Sequence, residues 1–248
     1  MNETAAPRIR INKILSEAGI ASRRAAEKLI RSGSVMLNGR TVTEVGQTMF
    51  PGCDHLSVEG RRVRIPQKIK PRVFALYKPK NCITTLSDPQ GRRTVKDFFP
   101  SESGRLFPVG RLDYDTEGLL LLTNDGELAQ RLMHPRHKVW KSYFVKVKGH
   151  VSQKTLNMLH RGPVINKKKH SPVRIKPLHT VNDKMWLEVS LREGTNRQIK
   201  KMFLQEDFRV LKIKRFRIGS VNLGELNPGE TRPLSSQEIE ALYTESNS

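Results

Sequence analysis

Four consecutive leucines, Leu119–Leu122, interrupt a chain that is otherwise strongly polar. They stand in "VGRLDYDTEGLLLLTNDGELAQ", residues 109–130, behind the acids Asp113, Asp115 and Glu117 and ahead of the turn-forming Asn124-Asp125-Gly126. A short, uninterrupted apolar run bounded by turn residues reads as a buried strand. Whatever this chain folds into must therefore bury that strand and present three acids at its mouth.

The acids are out of keeping with the rest of the composition. Lys and Arg number 45 against 24 Asp and Glu, a formal charge of +21 in 248 residues. Such an excess calls for a polyanionic partner, because each cation that neutralises a phosphate releases condensed counterions. Nucleic acid and an anionic membrane both satisfy the charge. The longest apolar runs are the four leucines and the five residues Val73–Tyr77, far short of the roughly 20 residues needed to span a bilayer, and "MNETAAPRIR" has no apolar signal-peptide core. The expectation is no membrane. Cys53 and Cys82 lie far apart and lack zinc-ligand spacing, so they read as reduced thiols and the expected location is cytoplasmic.

Periodicity divides the chain in three. Over residues 8–59, "RINKILSEAG" repeats Ile11, Ile14, Leu15 and Ala18 at helical spacing before Gly19. Ser22 can cap a second helix, "RRAAEKLIRSG", and "VMLNGRTV" is a hairpin around Asn38-Gly39. Arg23 and Arg24 at the helix start, with the backbone amides there, are candidates to hold a phosphate. Residues 60–72, "GRRVRIPQKIKPR", are basic and proline-punctuated and read as a linker. Residues 73–245 form the larger unit. "VFALYKP", "NCITTLSD", "EGLLLLTNDG", "SYFVKVKG", "MWLEVSLREG" and "RVLKIKRFRIG" read as strands, and "ELAQRLMHP", "NRQIKKMF" and "SSQEIEALY" as helices. With no regular βαβ repeat, the class is α+β: a small helix-helix-hairpin domain joined to a mixed, largely antiparallel sheet.

Several chemistries are open to the acids. Asp113, Asp115, Glu117 and Gly118 begin an EF-hand spacing, but the twelfth position is Asn124 and leucines intervene, so calcium is not supported. A glycosidase pair needs carboxyls roughly 5–9 Å apart, which Asp113 and Asp115 permit, yet aromatic residues make up only 6% of the chain and leave little stacking surface for a sugar. His134 and His137 straddle a proline without a third zinc ligand, and no Walker loop is present. No metal or other cofactor is expected. What remains is one aspartate beside an arginine, "GRLD", leading into a rigid strand.

At this point a resemblance becomes close. "GRLDYDTEGLLLLTNDGELAQRLMHP", "KSYFVKV", "EGTNRQIKKMF" and "RVLKIKRFRIGSVNLGELNPGETRPLS" occur in the order found in the RsuA family of RNA pseudouridine synthases. Residues 8–55 resemble the small RNA-binding domain first described in ribosomal protein S four. The resemblance implies a cofactor-free isomerase that breaks the C1′–N1 bond of a uridine in RNA, turns the uracil and rejoins it through C5. It assigns the acting carboxylate to Asp113 and a cation paired with it to Lys200, with Arg197 as the alternative. It places Tyr143 beneath the uracil, as a stacking platform worth about 1–3 kcal/mol, and has Arg111 assist the flipped nucleotide. Arg197 and Lys201 join Arg111, Arg23 and Arg24 as substrate contacts. Asp115 and Glu117 are then expected to cap turns or bond backbone amides. The implied partner is ribosomal RNA, nearer the members that act on large-subunit RNA. A noncatalytic RNA-binding or ribosome-assembly factor is the rival reading, and a monomer is expected because no heptad pattern or long apolar edge stands out.

Overall fold

The computed structural model describes residues 7–65, 70–99 and 105–247. The chain divides into two compact units, Met1–Lys70 and Pro71–Ser248.

The first unit contains β1 (Ile9–Arg10), α1 (Ile11–Glu17), α2 (Arg23–Arg31), β2 (Val35–Leu37), β3 (Arg40–Thr41), β4 (Thr48–Met49), β5 (Leu56–Val58) and β6 (Arg61–Arg62). The local chemistry that starts and stops these elements is short-range. Ser22 Oγ accepts the Ala25 amide at 3.1 Å and caps α2. Asn38 and Gly39 both take positive φ, 50° and 80°, as a type I′ hairpin turn requires. Ile11, Ile14 and Leu15 of α1 pack on Ala26 and Ile30 of α2 and on Val35 and Leu56 of the sheet, whose order is β3-β2-β5-β6. The sheet runs on into the stretch expected to be a linker. Arg61 and Arg62 pair with Val58 and Ser57, and Val63 is buried in the same core. Interleaved arginines hide that apolar alternation in the sequence. Residues 66–69 of the same stretch lie outside the described residues.

The second unit runs β7 (Val73–Lys78), β8 (Phe107–Pro108), β9 (Glu117–Thr123), α3 (Gly126–Met133), β10 (Lys141–Lys148), α4 (Gln153–His160), β11 (Val164–Ile165), β12 (Lys168–Lys169), β13 (Arg174–Thr180), β14 (Lys184–Leu191), α5 (Gln198–Leu204), β15 (Val210–Ile218), β16 (Val221–Asn222), β17 (Thr231–Pro233) and α6 (Ser236–Glu245). The main sheet has the order β13-β14-β10-β15-β9-β7-β17, with β16 and β8 attached to β15 and β9. Its pairings are antiparallel except β9 with β15, which is parallel. A mixed, largely antiparallel sheet is thus the architecture.

The leucine run is β9, buried on both faces. Leu120 and Leu122 join Leu76, Val145 and Val147 beneath Met202 and Phe203 of α5. Leu119 and Leu121 point the other way, onto Ala75, Leu128 and Leu132 of α3, and Leu242 of α6. All four are fully buried, each contributing about 1.5–3 kcal/mol of transfer free energy. A strand held so firmly makes a rigid base for whatever precedes it.

One expected strand is absent. Residues 81–88 form a loop, with only a single bridge from Ile83 to Thr94. Their polar groups are committed elsewhere: the Ile83 amide to the Arg93 carbonyl, and the Thr84 hydroxyl to Leu112. That loop braces the acidic loop through Asn81 and Thr84.

Candidate active site

The acidic loop between β8 and β9 is tied down along its length. The Thr84 hydroxyl donates to the Leu112 carbonyl at 2.7 Å and accepts the Leu112 amide at 3.2 Å. The Asn81 amide reaches the Tyr114 carbonyl at 2.8 Å, and the Thr116 amide closes a turn on the Asp113 carbonyl at 3.1 Å. Beneath the turn lies Lys78, fully buried at the end of β7. Its ammonium donates to the carbonyls of Thr116 at 2.8 Å and Pro79 at 2.9 Å. Burial pushes its pKa down to about 8, partly opposed by the acids Asp113 and Asp115 and by Cys82. The loop's backbone is therefore gripped from two sides while its acids project outward.

Asp113 opens onto a cleft of about 530 Å³. Asp113, Arg111, Tyr143, Arg197 and Lys200 all line it. Asp113 and Arg111 come from the pinned loop, Tyr143 from β10, Lys200 from α5, and Arg197 from the residue just before α5, where it holds a left-handed φ of 54°. Five residues from three separate stretches of sequence thus converge. The loop before α5 is braced by Gln198, which accepts the Thr195 amide and donates to Glu193 at 2.9 Å. Glu193 also receives the Ser171 amide and lies 3.0 Å from the His170 ring.

Lys200, which the resemblance pairs with Asp113, is shared between two acids. Its ammonium bonds both carboxylate oxygens of Asp115 at 2.6 Å and stands 3.7 Å from Asp113 Oδ2. The turn at 113–116 brings both acids to one side, and Asp115 takes the two-point contact. Burial works to raise the Asp115 carboxyl, but the Lys200 hydrogen bonds and charge, with Arg197 behind them, hold it below the usual carboxylate range. Asp115 is thus an ion-pair partner that also bonds its own backbone amide. Glu117 is another: on β9 it pairs with Lys212 at 2.7 Å.

Tyr143 serves two purposes at once. It is 9% exposed and packs with Val145 and Val147, yet its remaining surface faces the cleft. The other expected contacts are not brought there. Lys201 reaches toward Asn196 at 3.5 Å and does not line the cleft. Arg23 and Arg24 are exposed in the first turn of α2, in the other unit. Two lining residues went unread in the sequence, Lys141 and Arg215. Burial, and then the charge of Arg215, pushes the half-buried Lys141 down to about 8. The sequence did hold one signal, since Lys141 is two residues from Tyr143 on the same strand and so on the same face.

Comparison with known proteins gives this cleft its context. The RNA pseudouridylate synthase family profile matches residues 72–205, and that of the S4 domain matches residues 9–49. Ribosomal large subunit pseudouridine synthase B of Bacillus subtilis is 41% identical over 235 residues, 94% of this chain and 95% of its own. An uncharacterized RNA pseudouridine synthase of Aquifex aeolicus is 42% identical over 236 residues, 95% of this chain and 94% of its own. A crystal structure of a pseudouridylate synthase superposes with a TM-score of 0.68 at 30% identity, covering 94% of this chain and 99% of that one. The matched region runs through the pinned loop, β10 and α5, and on those grounds the chain belongs to the RNA pseudouridylate synthase family.

Proposed function

We propose that the chain isomerises a uridine of ribosomal RNA, within the large-subunit RNA, to pseudouridine, and that Asp113 is the acting carboxylate. The observation that carries this reading is the meeting of Asp113, Tyr143 and Lys200 at one cleft. Detaching uracil from its sugar needs an ionised acid at the sugar and a flat surface for the base. Asp113, held near an ammonium, supplies the first. Tyr143 supplies the second. Arg111, exposed at the rim, is the group to stabilise a uridine turned out of its stack. Arg197 adds a second cation along the same wall. The choice of large-subunit RNA is supported by the name carried by the Bacillus subtilis relative.

In the same reading the first domain, residues 8–59, docks a folded RNA, with Arg23, Arg24 and the amino end of α2 on its phosphates. The formal charge of +21 suits that partner. The protein acts as a monomer in the cytoplasm. Among the described residues no helix is long and apolar enough to cross a membrane. A purely RNA-binding factor is less well supported, because an acid directed at a polyanion weakens binding unless it does chemistry. Release of tritium from ribosomal RNA labelled at uridine C5 tests the proposal: the wild-type chain should release it from large-subunit RNA, and no release from either subunit's RNA would sink it.

A further inference from the structure

Arg215 sits in the middle of β15 and is only 4% exposed, yet it lines the cleft with Asp113 and Tyr143. Its guanidinium is fixed at one corner. Nε donates to the Leu119 carbonyl at 2.7 Å, and Cζ lies 6.0 Å from the centre of the Tyr143 ring. The backbone behind it is equally fixed. Arg215 pairs with Gly118 in the parallel register, so closely that a Cβ at Gly118 would lie 2.1 Å from the Arg215 carbonyl oxygen. One terminal nitrogen is left over. Nη2 is sealed from solvent without an acceptor, and among the described residues no carboxylate pairs with Arg215.

An unpaired buried cation is costly, and this one has Lys141 as a neighbour in the cleft lining, whose proton its charge helps to loosen. Lys200, which lines the same cleft, differs in being already satisfied by Asp115 and Asp113. The cleft thus holds a buried cation without an anionic partner among the described residues, beside an aromatic ring and together with an acid.

Resting on the function proposed above, we propose that Arg215 is a catalytic residue whose terminal guanidinium N–H groups hydrogen-bond a carbonyl oxygen of the uracil and stabilise the anion it becomes. When the C1′–N1 bond breaks, its electron pair goes to the ring, which leaves as uracilate with the charge spread onto its carbonyl oxygens. Asp113 meets the electron demand of the sugar, either by bonding to C1′ or by taking the C2′ proton. When C5 bonds to C1′, the ring returns that pair to the sugar and Asp113 is released in its starting form, giving back the C2′ proton where it had taken one. The C5 proton then departs to solvent while N1 takes up a proton, so the product is neutral pseudouridine. Arg215 acts only while the ring is detached. Anchored through Nε, the guanidinium is held at the cleft before reaction, so stabilising the anion costs little reorganisation.

The test uses the full chain with R215M, which keeps the bulk of the side chain without its charge, and R215K, which keeps the charge and can reach the Leu119 carbonyl but lacks the planar fork. Three quantities are read: thermal unfolding, affinity for large-subunit RNA, and single-turnover tritium release at saturating enzyme. Loss of one anion-stabilising donor costs about 100-fold or more in rate. The expected result is that loss in each folded variant, with RNA affinity within about 2-fold of wild type. Turnover close to wild type in either variant overturns the inference. So does a loss of affinity in proportion to turnover, which makes Arg215 a phosphate contact, and so does failure of both variants to fold, which makes it structural. An inactive wild type is a separate result that overturns the proposed function itself.

Discussion

Lys200 grips Asp115 by both carboxylate oxygens at 2.6 Å. The acid assigned to the reaction, Asp113, is left 3.7 Å from the same ammonium. Lys200 is therefore shared, and Asp115 draws part of its charge away from Asp113.

Removing that partner should be visible in stability and in binding. D115N leaves Lys200 with Asp113 alone and should lower the unfolding free energy by about 1 kcal/mol or less, with RNA binding unchanged or slightly tighter because one negative charge is gone. Weaker RNA binding by D115N would mean that Asp115 holds the loop in its binding shape. The wild-type ion pair also carries a stability dependence. Asp115 is depressed below its ordinary value, so the pair's contribution is present above the normal carboxylate range and is lost as pH falls through the folded-state value.

The parallel contact between β9 and β15 makes a sharper prediction. Gly118 has a φ of 112°, and a Cβ there would lie 2.1 Å from the carbonyl oxygen and 2.6 Å from the nitrogen of Arg215. Neither backbone atom can yield without breaking the register that also pairs Glu117 with Lys214. G118A should cost about 4 kcal/mol or more in denaturant unfolding, the range of a backbone clash inside a core. A loss under about 1 kcal/mol would show that the two strands can part.

Lys78 gives stability a signature at alkaline pH. Its pKa is about 8 in the folded protein against an ordinary value of 10.5. Below 8 both folded and unfolded chains carry the proton, and the cost of burying the ammonium applies in full. Between these values unfolding takes up a proton, so this group's contribution to stability rises with pH. Wild type should gain on K78M across that window by at most about 3 kcal/mol. Lys141 shifts in the same direction and is present in both proteins, so the difference isolates Lys78. A constant gap between the two across pH 8 to 10.5 would mean that Lys78 is not the buried cation described.

What could be read from sequence was what short-range chemistry dictates. The leucine strand, the Asn38-Gly39 hairpin and the Ser22 cap each follow from a few adjacent residues, and the structure has all three. What could not be read depends on partners far along the chain. "NCITTLSD" has the composition of a strand, but Thr84 is committed to Leu112, 28 residues away. The pairing of Lys200 with Asp115 spans 85 residues, and spacing alone cannot say which of two neighbouring acids a lysine will take. β13, an edge strand with mostly exposed residues, shows little of the apolar alternation that marks a half-buried strand. Arg215 looked like one more cation in the alternating "KIKRFRIG", because nothing local marks which basic residue of a strand turns inward.

The role of Asp113 is most directly tested by D113N, which is nearly isosteric and keeps a hydrogen-bonding group beside Lys200. Tritium release from C5-labelled large-subunit RNA and RNA affinity are measured together on wild type and variant. Asp113 as the acting carboxylate requires release by wild type, none detectable by D113N, and affinity within about 2-fold, since only the chemical step is lost. Release by D113N at a rate near wild type, or equal loss of binding and turnover, would contradict it and return Asp113 to the structure of its loop.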